Sequence, residues 1–338
     1  MRAFVFPGQG AQKVGMGREL VEAIPAARAV FEQADQALGF AISKICFEGP
    51  EDALKLTANS QPAILTLSIA LLRAIEEQDG LAPQIVAGHS LGEYSALVCA
   101  GALRFEDAVR LVHKRGLFMQ EAVPVGVGAM AAVVGLEPAA VGLLCEEAAE
   151  GEILCPANFN SPRQTVIAGH AAAVKRAIAL VAARGKVAKE LPVSAPFHCP
   201  LMEPAAIKLA AELDKVEFKD PTVPVVTNVE AAPNQDGARV RDLLVQQVTA
   251  SVRWTDSVRK MLELGVTEFY EVGPGRTLCS LIKQVDSKIA TSNFETPQQI
   301  EALAWEIQEG KKVHKQSGKI VWDDGLEWDP NEPGAFGF

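Results

Sequence analysis

Short apolar runs and longer stretches of helical spacing alternate along the first part of the chain. Residues 2–6 suit a strand, and Ile85-Val86-Ala87 is a short apolar run of the kind a buried parallel strand uses. Between them, residues 25–38 and 60–78 carry apolar positions at helical spacing. Pro62 would then fall in the first turn of the second helix, where its missing N–H costs nothing. Residues 93–100 suit a helix, and 105–122 a long amphipathic one. From about Val125 the order changes: strand 128–134, helix 137–150, strands 153–159 and 164–168 around the turn Asn160-Ser161-Pro162-Arg163, helix 171–184 and strand 186–191. The sequence βαββαβ is that of a ferredoxin-like module.

The chain returns through Val193-Ser194-Ala195-Pro196-Phe197-His198-Cys199-Pro200, a loop held by prolines with a histidine at its tip. Helices over 204–214, 239–248 and 255–264 and strands over 223–228 and 267–272 follow. Gly273-Pro274-Gly275 turns the last clear strand into a helix over 277–283, and a final helix is expected over 297–309. Beyond it, Trp322-Asp323-Asp324-Gly325-Leu326-Glu327-Trp328 has hairpin chemistry, and the Gly/Pro-rich end is expected to be loose. The fold class is α/β: a main domain with a parallel sheet, made of residues 1–124 and 193–309, an inserted ferredoxin-like subdomain at 125–192, and a tail at 310–338. The edge between insert and main sheet would form a cleft, where small-molecule sites tend to lie.

Composition narrows the function classes. The 338 residues are 49% hydrophobic, enough for a large core, and the formal charge of −10 disfavours nucleic acid and anionic membranes as partners. No run approaches a membrane span, and residues 1–6 are too short an apolar stretch for a signal peptide. Cys46, Cys99, Cys145, Cys155, Cys199 and Cys279 form no CxxC pair and have no zinc-ligand spacing; they suit reduced thiols in a cytoplasmic protein.

Chemistry concentrates at Gly88-His89-Ser90-Leu91-Gly92. A serine between a strand and a helix sits in strained backbone, and flanking glycines leave room for it. That geometry exposes the Ser90 hydroxyl at the carboxyl end of the sheet and aims unpaired helix N–H groups at whatever it attacks. The motif alone also fits a turn with no chemistry. The glycine-rich loop Pro7-Gly8-Gln9-Gly10-Ala11-Gln12 can present backbone N–H groups to an anion. His198 could face the cleft, as could Arg115 if its helix face turns toward Ser90. Gln61 is either a helix-start residue or a distant lining residue. Cys199 is expected to be a packed thiol beside a functional histidine.

The pieces occurring in order are Phe6-Pro7-Gly8-Gln9-Gly10-Ala11-Gln12, Gly88-His89-Ser90-Leu91-Gly92-Glu93-Tyr94, Arg115, Ala195-Pro196-Phe197-His198 and Glu271-Val272-Gly273-Pro274-Gly275. With them, residues 1–309 resemble the malonyl-CoA:acyl-carrier-protein transacylase family. The resemblance implies an α/β-hydrolase-like main domain with a ferredoxin-like insert. It implies transfer of malonyl from malonyl-CoA to the phosphopantetheine thiol of acyl carrier protein, with no metal or redox cofactor. Ser90 would be acylated and His198 would be its base. The N–H groups of Gln9 and Leu91 would form the oxyanion hole, and Arg115 would hold the malonyl carboxylate. A main-chain carbonyl at Gln247 would orient the histidine. Ser251 stands where relatives often have proline, which loosens the placement of Gln247. Phe197 and Leu91 resemble the malonyl-selective pattern.

Other expectations compete with this one. A trans-acting acyltransferase of a polyketide pathway would use the same chemistry. An α/β-hydrolase esterase would want a carboxylate partner and a late histidine such as His314. A non-catalytic scaffold could retain the shape. Arg184, Lys186 and Lys189 form a candidate docking patch for an acidic carrier, or an ordinary solvated face.

Overall fold

The computed structural model describes residues 1–77, 81–193, 195–308, 314–316, 319–321 and 327–328. Strand β1 (Arg2–Phe6) is followed by α1 (Arg18–Ala23), α2 (Pro25–Leu38), α3 (Ile42–Glu48), α4 (Glu51–Lys55) and the long α5 (Thr57–Glu76). Then come β2 (Ile85–Gly88), α6 (Gly92–Cys99) and α7 (Phe105–Glu121). The middle of the chain runs β3 (Gly128–Val134), α8 (Pro138–Ala149), β4 (Leu154–Ser161), β5 (Gln164–His170), α9 (Ala171–Ala183) and β6 (Val187–Glu190). After it lie α10 (Glu203–Leu213), β7 (Val225–Val226), β8 (Pro233–Asn234), α11 (Gly237–Thr249) and α12 (Trp254–Glu263). The last elements are β9 (Glu268–Val272), α13 (Thr277–Val285), β10 (Ala290–Phe294), α14 (Pro297–Gln308), β11 (His314–Gln316), β12 (Lys319–Val321) and β13 (Glu327–Trp328).

The main sheet has the order β10-β9-β1-β2-β7-β8, parallel throughout except for the β7–β8 edge. Alternation along its strands separates two cores, as a period of two requires. Phe4 and Phe6 of β1 and Val86 of β2 face a large cluster with α2, α5, α6 and α7. Ala3, Val5, Ile85 and Ala87 face a smaller one with Trp254, Val258 and Met261 of α12 and with Leu278, Leu281 and Ile282 of α13. Helix α5 lies within the large cluster, buried on nearly all sides. Phe6 pairs with Gly88, so β1 and β2 end side by side. The loops that follow them meet at the carboxyl edge of the sheet, where ligands of open α/β sheets bind.

The second sheet is antiparallel, in the order β4-β5-β3-β6. Strand–helix order and sheet order together are those of the ferredoxin-like module that the apolar pattern predicts. One face packs Ala131, Val133 and Ile167 on α8 and α9 as a core of its own. From the other face Met130, Val166 and Ala168 join the large cluster. Backbone bonds tie this sheet to the segment before α12: Val252 donates to Ala157 O and Phe159 donates to Val252 O, both at 2.9 Å.

Three expectations change. Pro62 lies inside α5, not in its first turn, because the helix begins at Thr57. No local side chain caps that start; instead Gln120 of α7 accepts the Ala58 N–H at 2.8 Å. Pro62 leaves the Ala58 carbonyl without its helical donor, and the His113 ring nitrogen Nδ1, also on α7, bonds to it at 2.8 Å. The strand expected over 223–228 is paired only at Val225–Val226, so Asn228 leaves the ladder. The strand at 267–272 is not the last of the main sheet: β10, Ala290-Thr291-Ser292-Asn293-Phe294, adds parallel to β9 as a half-buried edge whose polar residues hide it from an apolar search. In the tail, β12 and β13 pair antiparallel with Val321 opposite Glu327, while the turn at 322–326 and the end from 329 lie outside the described residues.

Among the described residues, no helix is long and apolar enough to cross a membrane. The contact between β1 and the turn after β2 tightly constrains the carboxyl edge: a Cβ on Gly92 would sit 2.0 Å from the carbonyl oxygen of Phe6. Gly92→Ala is therefore expected to destabilise the protein by roughly 2 kcal/mol or more. Denaturant unfolding checks this, and a parent-like midpoint would mean the backbones are not in that contact.

Candidate active site

Ser90 follows β2 in left-handed backbone, with φ of 51°. Non-glycine residues there are strained, and the surroundings must hold them. Glycine on either side makes the turn possible, since a Cβ on Gly88 would lie 1.9 Å from the main chain of Gly92. Asn228, released from β7, is the clamp. Its Oδ1 accepts the Ser90 N–H at 2.6 Å and its Nδ2 donates to Gly88 O at 2.6 Å. Its own N–H donates to Glu93 Oε2 at 3.1 Å. His89 points the other way, its Nε2 2.8 Å from Asn160 Oδ1 of β4, which ties the turn to the antiparallel sheet.

His198 arrives from the return loop, also in left-handed backbone, with φ of 58°. Its Nε2 lies 2.7 Å from Ser90 Oγ, and its Nδ1 lies 2.8 Å from the main-chain carbonyl of Gln247. A carbonyl only accepts, so Nδ1 carries the proton and Nε2 is free to accept from the serine hydroxyl. Burial, and then the Arg115 charge, push His198 down to about 3. The looseness expected of Gln247 from Ser251 is not found. The Ser251 hydroxyl donates to Pro156 O at 2.6 Å, and Val252 joins β4.

Arg115 is fully buried on α7 and reaches the serine, with Nη2 3.2 Å from Ser90 Oγ. Nη1 donates to Gln61 Oε1 at 2.9 Å and Nη2 to Gln247 Oε1 at 3.0 Å. Its Nε has no partner, and the guanidinium stands 5.7 Å from the ring centre of Tyr94. Gln61 is thus a lining residue, the second of the two options its position allowed. Close approach of α7 makes the reach possible: a Cβ on Gly116 would lie 2.6 Å from Thr57 O. Gln247 holds three partners with its side chain, since Nε2 also donates to Ser90 O at 3.0 Å and to Glu93 Oε2 at 2.7 Å.

The N–H groups of Gln9 and Leu91 have no acceptor among the described residues. They belong to the two loops that meet beyond β1 and β2. Phe197 is buried beside the histidine. Cys199 is a packed thiol: its Sγ–H bonds to Pro196 O at 3.0 Å, and burial pushes it up to about 12. Arg184 of the basic trio pairs with Glu147, so it is not a free surface cation. Among the described residues, no group of His, Cys, Asp and Glu side chains could hold a metal ion.

Sequence reasoning brought Ser90, His198, Arg115 and Gln247 to one place, and the structure has them there. It missed Asn228 and Glu93. Their only signal was position, one at the predicted end of a neighbouring strand and the other in the first turn after the serine.

A strained serine at a strand–helix turn, a neutral histidine and a carbonyl in place of the usual third carboxylate define a serine-nucleophile protein of the α/β class. Residues 3–301 match the family model of the acyl transferase domain. The chain is 52% identical over 296 residues to the malonyl CoA-acyl carrier protein transacylase of Escherichia coli K12, covering 87% of this chain and 96% of that one. It is 46% identical to that of Bacillus subtilis strain 168, covering 91% and 97%. Among solved structures, the malonyl CoA-acyl carrier protein transacylase of Coxiella burnetii superposes with a TM-score of 0.88 at 45% identity, over 90% of this chain and 96% of that one. A malonyl-transacylase in complex with a type II PKS acyl-carrier protein does so with 0.88 at 44% identity, over 90% and 99%. The chain belongs to the malonyl CoA-acyl carrier protein transacylase family.

If His198 stays neutral, acylation of Ser90 by a neutral reagent should have no histidine limb. The burst rate with p-nitrophenyl acetate is expected to be level from about pH 7 down to about pH 5. A fall on the order of 25-fold across that span would place the imidazole near its ordinary 6.5.

Proposed function

We propose that the protein transfers malonyl from malonyl-CoA to the phosphopantetheine thiol of acyl carrier protein through a malonyl-Ser90 intermediate, supplying fatty-acid elongation. The observation that carries this reading is a buried guanidinium beside the nucleophile with no carboxylate bonded to it. A buried cation held only by neutral groups is costly, and an acyl group ending in a carboxylate supplies its missing partner. The names of the relatives agree with that substrate and acceptor.

The groups divide the work as follows. His198 Nε2 takes the Ser90 proton as Oγ attacks the thioester carbonyl. The Gln9 and Leu91 N–H groups meet the developing oxyanion, each worth about 3 kcal/mol in the barrier. The C–S bond breaks, and the His198 proton goes to the departing coenzyme A sulfur. The carrier thiol then gives its proton to His198 and its sulfur attacks malonyl-Ser90. Collapse of that adduct breaks the ester and returns the proton to Oγ. Gln247 holds the imidazole through its carbonyl, and Arg115 pairs with the malonyl carboxylate in the bidentate way guanidinium favours. The two half-reactions use only these groups and the coenzyme A thioester, with no other cofactor. Six free cysteines suit a reducing compartment, and we place the protein in the cytoplasm.

A second reading has one specific support. The solved neighbour bound to a type II PKS carrier makes a polyketide carrier the alternative acceptor; the chemistry is the same and only the carrier differs. An esterase is less well supported, because the histidine on Ser90 is His198, whose Nδ1 bonds to a main-chain carbonyl and not to a carboxylate.

Intact mass after incubation with malonyl-CoA, and then with each type of holo-carrier, tests both readings. One malonyl group should load onto the parent and leave with the carrier, and none should load onto Ser90→Ala. Loading of the alanine variant would remove Ser90 as nucleophile. Arg115→Ala should lose preference for malonyl over acetyl on the order of 100-fold. Unchanged selectivity in a folded variant would take Arg115 out of the substrate contact.

A further inference from the structure

Behind the substrate face of Arg115 lies a second buried charged group that the transfer does not use. Glu93, in the first turn of α6, is 2% exposed. Its Oε2 accepts from Gln247 Nε2 at 2.7 Å, and the other end of the same amide, Oε1, accepts from Arg115 Nη2 at 3.0 Å. The Gln247 side chain therefore stands between a carboxylate and a guanidinium with its dipole aligned to both. The two charges form an ion pair separated by one amide, not a direct salt bridge.

We infer that Glu93 is a positioning residue that sets, through Gln247, how strongly Arg115 holds the carboxylate of the acyl substrate. The inference rests on the reading of Arg115 given above and adds a control on it. A carboxylate in direct contact would occupy the donors the substrate needs. With no carboxylate near, Arg115 would hold an anionic acyl group at full strength. Separation by an amide leaves Nε without a partner and Nη1 with a single acceptor, Gln61, while partly offsetting the positive charge.

Protonation of Glu93 modulates this arrangement. Burial, the dominant cause, pushes the carboxyl up to about 7, against the bonds from Gln247 and Asn228 and the attraction of Arg115. The groups that face it are Arg115 from α7, the Gln247 amide from α11, the Asn228 N–H from the segment after β7, and Tyr94, its neighbour on α6. His198 is one step removed, bonded to the Gln247 carbonyl. The sign follows: below about 7 Glu93 is neutral and Arg115 holds the substrate carboxylate more tightly; above it Glu93 is charged and the grip weakens.

The experiment is single-turnover acylation of Ser90, with the half-saturating concentration and the maximal rate read separately for malonyl-CoA and acetyl-CoA. Acetyl-CoA carries every titrating group of the coenzyme but no acyl carboxylate. For Glu93→Gln, which keeps an oxygen to accept both N–H groups, the half-saturating malonyl-CoA concentration at about pH 8 should fall on the order of fivefold. The acetyl-CoA value and the maximal rates should stay within about twofold, and parent and variant should converge at about pH 6. Parallel shifts for both thioesters, or no tightening for malonyl-CoA, would overturn the inference and leave Glu93 a structural residue. The parent gives a second measurement that needs no variant: its half-saturating malonyl-CoA concentration should rise through about pH 7 while that for acetyl-CoA does not. A flat malonyl-CoA profile counts against the inference. Failure of malonyl-CoA to load Ser90 at all is a different result and strikes the proposed function itself.

Discussion

Gln247 holds the site together. It is wholly buried, and both its main chain and its side chain are used. The carbonyl fixes the tautomer of His198, while the amide receives Arg115 and donates to Glu93 and to the carbonyl of Ser90. A neutral amide can do this because it offers donor and acceptor from one rigid plane. A carboxylate in its place could accept from Arg115 but could not donate to Glu93, and two buried anions would then face each other.

The surrounding fold exists to keep that amide still. Helix α11 carries it, and the segment that follows is strapped to β4 by Ser251 and Val252. Arg115 is positioned by a similar exchange between elements. Helix α7 lends Gln120 and His113 to the first turn of α5, where Pro62 would otherwise leave a carbonyl unpaired, and Gly116 lets the two helices close. The antiparallel sheet takes part through Asn160, which holds the ring of His89.

What the sequence made legible follows from the range of the forces involved. Apolar periodicity revealed β1, β2, the βαββαβ order and most helices, because those patterns are local. Ser90 was legible because the strain of its turn demands glycine at 88 and 92, a requirement written in adjacent positions. Resemblance placed His198, Arg115 and Gln247, which lie 108, 25 and 157 positions from Ser90 and share no local signal with it. Asn228 and Glu93 were not legible, since an asparagine near a strand end and a glutamate in a first helical turn both have ordinary local explanations. The start of α5 and the edge strand β10 were misjudged for the same reason: one is capped by another helix, and the other is defined by its neighbour's hydrogen bonds.

Two residues at the centre, Ser90 and His198, sit in left-handed backbone, at a cost on the order of 1–3 kcal/mol each. Neither is a residue that favours such a conformation enough to hold it alone. The bonds from Asn228 and Gln247 to the main chain of Ser90, and from Gln247 to the His198 ring, are what hold them there. The same bonds set the 2.7 Å contact between hydroxyl and imidazole, so strain and reactive geometry have one source. It follows that the site cannot be loosened gradually. Losing one of these amide contacts leaves a buried donor or acceptor unpaired as well as a strained residue unsupported, and the two costs fall on the atoms that must react.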